Sequence, residues 1–286
     1  MTRTAAAVTR VLRTRAELRA ALRETPRPIG LVPTMGWLHD GHRALMRRAR
    51  AADATTVVTI FVNPRQFDEP SDYMRYPRNE ERDLAVCRDE GMDLVWAPPP
   101  DEVYPAGFDT TVSVGSLALP LEGAARPGHF DGVVTVVGIL FALVGAEHAY
   151  FGQKDAQQVM VIRRMALDLA LPTEVIGCPT VREPDGLALS SRNVHLSPEE
   201  RAAAPVLRRA LLKARACWEN GERSAETLRS AMRDVLVREP LAQVDYVSAA
   251  DLHTLAELDH LDAGALLSLA VRFGSTRLID NESIPD

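Results

Sequence analysis

"PTMGWLHDGH", residues 33–42, follows directly on the apolar run Ile29-Gly30-Leu31-Val32. That run is short, apolar and bounded by a proline, the profile of a buried strand. Residues 41–52, with Ala44, Leu45 and Ala49 at helical spacing, read as a helix. A strand that hands over to a helix through a glycine-bearing turn offers backbone N–H groups and the positive end of a helix dipole, which suits phosphate. Gly36 and Gly41 let a bulky ligand approach the backbone, and the imidazoles of His39 and His42 can donate to anionic oxygens.

Working outward from that turn, strand and helix signals alternate. "TTVVTIFV", residues 55–62, is β-branched almost throughout and apolar on both faces, as a central parallel strand is. A helix over 80–90 stops at Gly91, and "DLVWAP" is a strand ended by prolines. Residues 133–144 form a buried helix, and "HAYFG", residues 148–152, a strand entering a glycine turn. "KDAQQVMVIRRMALDLAL" is amphipathic, with Ala156, Val159, Met160, Ala166 and Leu169 near helical spacing. The alternation predicts an α/β fold: a Rossmann-like parallel sheet with helices on both faces, binding its ligand at the carboxyl ends of its strands.

Beyond "LSSRNVHL" the character changes. "SPEE", residues 197–200, is a capping box with proline at the first helical position, and it opens a long helix to about Glu219. A second helix follows from Ser224, then a strand over 244–248 and a hairpin, "ALLSLAVRF–GS–TRLIDN". The expected organisation is a Rossmann-like domain over 1–180 and a smaller α+β domain over 181–286.

Composition narrows the function classes. With 286 residues and 46% apolar content the chain can bury a substantial core. A net charge of −6 and a pI near 5.7 argue against a generic grip on nucleic acid. The longest apolar run falls short of the roughly 20 residues a bilayer span needs, so no membrane partner is expected. Cys87, Cys178 and Cys217 are scattered singly, the pattern of a reducing compartment, and the default location is cytoplasmic. The arginine-rich start is also compatible with a transit peptide, although "AELRAALRE" reads as an ordinary amphipathic helix. Arginine supplies nearly all the positive charge; the only lysines are Lys154 and Lys213. A retained lysine can mark a place where a compact ammonium is required, although Lys213 sits in a plain helical context.

Four constellations carry chemistry. His39-Asp40-Gly41-His42 is a His-x-Gly-His pattern, the signature of enzymes that split ATP between its α and β phosphates. The bland alternatives are two surface histidines or a chance metal pair, and no third ligand lies nearby. "LALSSRN", residues 187–193, pairs hydroxyls with an arginine able to hold phosphates in a closing loop; it also reads as a polar linker. In "YFGQKDAQQ", Lys154 can neutralise charge developing on a phosphoryl group and Asp155 can accept from ribose hydroxyls, while Asp155 and Gln158 have capping-box spacing. In "FVNPRQF", Gln66 follows a strand end, where an amide could read a small polar substrate or stand idle.

"PTMGWLHDGH", "FVNPRQF", "YPR", "RPGHFDGV", "YFGQKDAQQ" and "LALSSRN" occur in the order seen in the pantoate–β-alanine ligase (pantothenate synthetase) family, which this chain resembles from Pro33 to Asn193. The resemblance implies a nucleotide-binding fold similar to class I aminoacyl-tRNA synthetases and a cytoplasmic homodimer. It implies that (R)-pantoate and β-alanine are joined through pantoyl adenylate, with ATP and Mg²⁺, giving AMP and diphosphate. Carried over by position, Pro33, Thr34, Met35, Gly36, His39, Gly41 and His42 would line the ATP site, with His42 the proton donor. Gly152, Gln153, Lys154 and Asp155 would hold ribose and α-phosphate, and Val181 would meet adenine. Leu189, Ser190, Ser191 and Arg192 would close on the triphosphate. Gln66 and Gln158 would grip pantoate, with Met35, Asn63 and Phe67 beside it. No protein ligand for the metal is expected; the ATP phosphates hold it.

Departures from the family pattern are few. Trp37 stands where a small or polar residue is usual, Leu189 replaces a methionine, and Arg82 precedes Asp83 where two acids are common, which weakens any metal role there. An adenylyl- or cytidylyltransferase on the same fold is the nearest competing reading, and a non-catalytic tRNA-binding relative the more distant one. The acidic balance disfavours the latter.

Overall fold

Two units divide the chain in the computed structural model, which describes residues 8–284. The first comprises the residues up to Ala118 together with Arg126–Gln153 and Gln158–Pro179. The second gathers Leu119–Ala125, Lys154–Gln157 and the chain from Thr180 onward. Residues 1–7, where the arginine-rich start begins, lie outside the described residues.

In the first unit, β1 (Arg10–Leu12) leads to α1 (Arg15–Arg23), whose Thr14 and Glu17 form a reciprocal capping box. The opening turn sits between β2 (Ile29–Thr34) and α2 (Asp40–Ala52). Then come β3 (Thr55–Ile60), α3 (Pro70–Arg75), α4 (Glu80–Asp89), β4 (Leu94–Trp96) and α5 (Pro100–Val103). After α6 (Glu122–Ala125), which belongs to the second unit, follow α7 (His129–Val144), β5 (His148–Gly152), α8 (Ala156–Asp168) and β6 (Glu174–Cys178). All pairings are parallel, in the order β1-β4-β3-β2-β5-β6.

That order has a switch point. From β2 the chain winds outward through β3 and β4, then returns to lay β5 on the other side of β2. Loops leaving β2 and β5 at their carboxyl ends therefore head in opposite directions and leave a crevice, where parallel sheets bind ligands. Pro33 widens it. The β2–β3 ladder runs to Thr34 and Ile60, whereas β2 registers with β5 only at Gly30–His148 and Leu31–Ala149. Proline has no N–H to give to that second ladder. The strand expected over 29–32 thus continues through Pro33 to Thr34, held on one side.

Asp53, buried at the C-terminal end of α2, accepts from the Tyr150 hydroxyl and lies against His148 Nδ1, each at 2.6 Å. Gly30 makes room, since a Cβ there would stand 2.2 Å from Asp53 Oδ2. The foot of α2 is thereby tied to β5 while its first turn carries the histidines.

Several sequence expectations need correction. The structure adds two strands, β1 and β6, that local patterning does not mark; three residues are too few for a periodic signal, and "EVIGC" mixes polar and apolar residues. Leu169 lies past the end of α8 and is exposed; the buried face of that helix is Val159, Ile162, Met165 and Ala166. The long helix expected from Ser197 to Glu219 is two: α9 (Pro198–Ala203) and α10 (Val206–Glu219). Pro205 breaks it, because its ring clashes with the carbonyl four residues back and it offers no N–H.

In the second unit, α10 and α11 (Ala225–Leu236) pack on an antiparallel sheet of β7 (Gln243–Asp251), β8 (Ala265–Phe273) and β9 (Thr276–Ile284). Residues alternate across β9: Leu278 and Ile284 join the core with the helices, while Arg277 reaches the other face to bind Glu122 of α6 at 2.6 and 2.9 Å.

Candidate functional site

The turn after β2 is built by four donors. Thr34 Oγ1 donates to Thr59 O at 2.7 Å and accepts from Gly36 N at 3.2 Å, so this candidate residue spends its buried hydroxyl on the turn itself. Gly36 and Trp37 both take positive φ, +82° and +51°. For tryptophan that is a strained backbone, worth about 1–3 kcal/mol. It is held by Asp83 of α4, which is 1% exposed and accepts from Trp37 N and Leu38 N, both at 2.8 Å. Arg82 stacks its guanidinium 4.9 Å from the centre of the Trp37 indole. Two of the three departures noted in the sequence, Trp37 and Arg82, are therefore one contact. Nothing in the sequence alone gave Asp83 this task. With both carboxylate oxygens facing backbone donors, it holds the turn.

His39 is the N-cap of α2. Its Nδ1 accepts from Gly41 N at 3.2 Å, and His42 Nδ1 accepts from His39 N at 3.3 Å, a capping box made of two imidazoles. The rings lie with centroids 4.1 Å apart. A nitrogen that accepts carries no hydrogen, so these backbone donors assign the ring proton to Nε2 in both residues. Each imidazole is thus a donor through Nε2, at the N-terminus of a 13-residue helix and at the switch point.

Past β3, Asn63 is 1% exposed and caps the short 3₁₀ turn Pro64–Gln66. Its amide donates to Gln66 Oε1 and Gly132 O, both at 3.0 Å, and accepts from Arg65 N at 3.3 Å and the Tyr104 hydroxyl at 2.7 Å. Two donors and two acceptor positions exhaust an amide. The sequence placed Asn63 against substrate; in the structure it holds Gln66. Gln66 O also accepts from Arg126 Nη2 at 3.1 Å and His129 Nδ1 at 2.7 Å, which gives "RPGHFDGV" a role that sequence reasoning missed. Gly132 permits this approach, since a Cβ there would lie 2.2 Å from Arg65 O. Phe67 packs edge-on against Tyr73 and Tyr76, and Pro33 and Met35 are half-buried. Gly152 and Gln153 leave β5, and Gly177 of β6 leaves space for the Gln153 amide. Gln158, half-buried, lies in the first turn of α8.

The remaining candidates belong to the second unit. Lys154 Nζ donates to Asp155 Oδ1 at 3.2 Å, and Asp155 closes a 3₁₀ turn immediately ahead of α8. Leu189 N donates to Val181 O at 3.0 Å, and Arg182 and Ala188 form a bridge, so residues 181–189 make a small hairpin. Ser190 Oγ accepts from Arg192 N at 3.2 Å, capping the 3₁₀ turn Ser191–His195. Among the described residues no group of three or more His, Cys, Asp or Glu converges on a point. No helix among them is long and apolar enough to cross a membrane.

The sequence profile of the family described as pantoate-beta-alanine ligase matches residues 9–283. Pantothenate synthetase of Roseiflexus sp. (strain RS-1) is 59% identical over 272 residues, covering 95% of this chain and 98% of that protein. The crystal structure of pantothenate synthetase from Thermus thermophilus aligns with a TM-score of 0.93 at 50% identity, covering 97% of this chain and 100% of that one. That of pantoate-beta-alanine ligase from Francisella tularensis, complexed with beta-gamma ATP and beta-alanine, aligns with a TM-score of 0.80 at 30% identity, covering 96% and 97%. A profile spanning nearly the whole chain and relatives of this likeness leave one conclusion: the chain belongs to the pantoate–β-alanine ligase family.

Proposed function

We propose that the switch-point histidines hold the phosphates of ATP for the first step of the reaction this chain carries out, the joining of pantoate to β-alanine through pantoyl adenylate. The observation that carries the site assignment is the imidazole capping box: both Nδ1 atoms accept from backbone donors, which sets Nε2–H as the donor of each ring beside a helix N-terminus.

In the first step a pantoate carboxylate oxygen attacks the α-phosphorus and the bond to diphosphate breaks. The encounter sets anion against anion, so positioned positive charge is what lowers its barrier. His39 and His42 donate to phosphate oxygens, with His42 the proton donor; Lys154 neutralises the α-phosphoryl group; Ser190, Ser191 and Arg192 close on the β and γ phosphates. In the second step the β-alanine amine attacks the acyl carbon and AMP leaves. Gln66 and Gln158 hold pantoate's hydroxyls and carboxylate, and Met35 and Phe67 shield the adenylate from water. Asp155 and the Val181 backbone read ribose and adenine.

Mg²⁺ fits this arrangement as an ion carried by ATP. The described residues form no carboxylate or histidine cage, and magnesium is commonly held by phosphate oxygens and waters. When bound it neutralises the triphosphate and favours departure of diphosphate. A homodimer in the cytoplasm completes the reading, checked by light scattering of the purified protein and by cell fractionation.

A product assay tests the function. With ATP, pantoate and β-alanine the expected products are pantothenate, free AMP and diphosphate. A product that keeps the nucleotide would favour a transferase on the same fold.

A further inference from the structure

We infer that Asn281, near the end of the chain, is a positioning residue for Lys154, acting through the backbone of the turn that carries it. The inference rests on the reading of Lys154 as the group that neutralises the α-phosphoryl charge.

Lys154 lies in a 3₁₀ turn between a strand and a helix of the parallel sheet, yet residues 154–157 group with the second unit. The reason is a set of hydrogen bonds to β9 and α6. Asn281 Nδ2 donates to Lys154 O at 2.8 Å, across 127 residues of sequence. Only the amide nitrogen can donate to a carbonyl, so the orientation of this side chain is fixed by its partner. Three residues on, Gln157 is 5% exposed; its Oε1 accepts from Glu122 N at 3.0 Å and its Nε2 donates to Pro120 O at 2.8 Å. Glu122 is in turn gripped by Arg277, four residues before Asn281 and on the same face of β9. The short segment is thus pinned at one end to β9 directly and at the other through Pro120 and Glu122, which Arg277 of β9 holds.

The neighbouring residue does the corresponding task on the opposite face. Asp280 is 2% exposed and takes a bidentate pair from Arg182, at 2.7 and 2.9 Å. Arg182 follows Val181, whose carbonyl holds Leu189 N at the root of the Ser190–Arg192 loop. The Asp280-Asn281 pair therefore fixes the backbone origin of Lys154 and of the hairpin that leads to the serines. A lysine has four rotatable side-chain bonds, so where its ammonium can reach depends on where its backbone is held.

The test is a double-mutant cycle on pantoate-dependent exchange of diphosphate into ATP, using Asn281→Asp, Lys154→Ala and the double variant, with Asn281→Ala as the substitute should the aspartate variant fail to fold. Asn281→Asp sets an acceptor against the Lys154 carbonyl. It should lower kcat by about tenfold while changing KM for ATP by less than about threefold. In the Lys154→Ala background the same change should cost less than about twofold. An undiminished tenfold loss in that background, or parent kcat in a folded Asn281 variant, would overturn this inference alone. Full exchange by Lys154→Ala would overturn the role of Lys154, and the inference with it.

Discussion

Replacing Asp83 by asparagine keeps the side chain's shape and removes the charge that holds the turn after β2. In the structure its carboxylate takes two consecutive backbone N–H groups, Trp37 and Leu38, at 2.8 Å each, and secures Trp37 at φ +51°. A hydrogen bond to a charged group contributes about 1.5–3 kcal/mol, and leaving a buried donor unmet costs about 1–3 kcal/mol. Asparagine keeps one acceptor oxygen and turns an N–H toward the second donor. The held geometry should therefore weaken by roughly 3 kcal/mol, on the order of 100-fold in population. The assay is pantoate-dependent diphosphate exchange into ATP, alongside a thermal melt. Asp83→Asn should lose on the order of 100-fold in kcat/KM for ATP. Adding Trp37→Gly should recover part of the loss, about tenfold, because glycine takes positive φ without strain. A folded Asp83→Asn enzyme within about threefold of the parent would refute the reasoning.

Other outcomes follow from the same geometry. His39→Asn should separate capping from chemistry: asparagine is a good N-cap, so stability should change by less than about 1 kcal/mol while exchange collapses; a fall in melting temperature with normal exchange would reverse that assignment. Glu282 is half-buried between Arg208 and Arg215. Burial alone would raise its pKa, but the two guanidinium hydrogen bonds outweigh it and hold the carboxyl below its ordinary 4.5. A folded-state pKa below the unfolded one stabilises at higher pH, so the benefit should be complete above about pH 5 and fade as pH falls through the depressed value. Melting curves of the parent and Glu282→Gln should differ at pH 7, by on the order of 1 kcal/mol, and converge in acid. Burial, and then the negative charge of Asp83, push the Cys87 thiol up to about 12. Burial raises Cys178 as well. Titration of the native protein with a thiol reagent should therefore label Cys217, which is half-buried, and spare the other two until denaturation.

The sheet was legible where its strands show an apolar run or a stop signal, as the prolines after the three-residue β4 do. β-branched and apolar runs mark β2, β3 and β5, and the turn after β2 announces itself through its glycines and histidines. β1 was not legible, since three residues acquire their meaning only by pairing with β4. Pro205 was legible in principle, and the capping box ahead of it obscured a break that proline chemistry dictates. At the site, the sequence pointed to the groups with conspicuous chemistry and missed those that place them. Asp83 looked like one acid among many until its two oxygens met the turn. Arg126 and His129 sat in a motif without a task until they reached Gln66 O. Asn281 lies 127 residues from the carbonyl it holds, a separation no local pattern spans.

That the turn after β2 holds ATP for attack by a carboxylate is tested most directly by exchange of labelled diphosphate into ATP with pantoate present and β-alanine absent. Exchange should require pantoate and disappear in His42→Ala. Exchange independent of pantoate, or none at all in a folded protein that binds ATP, would contradict it.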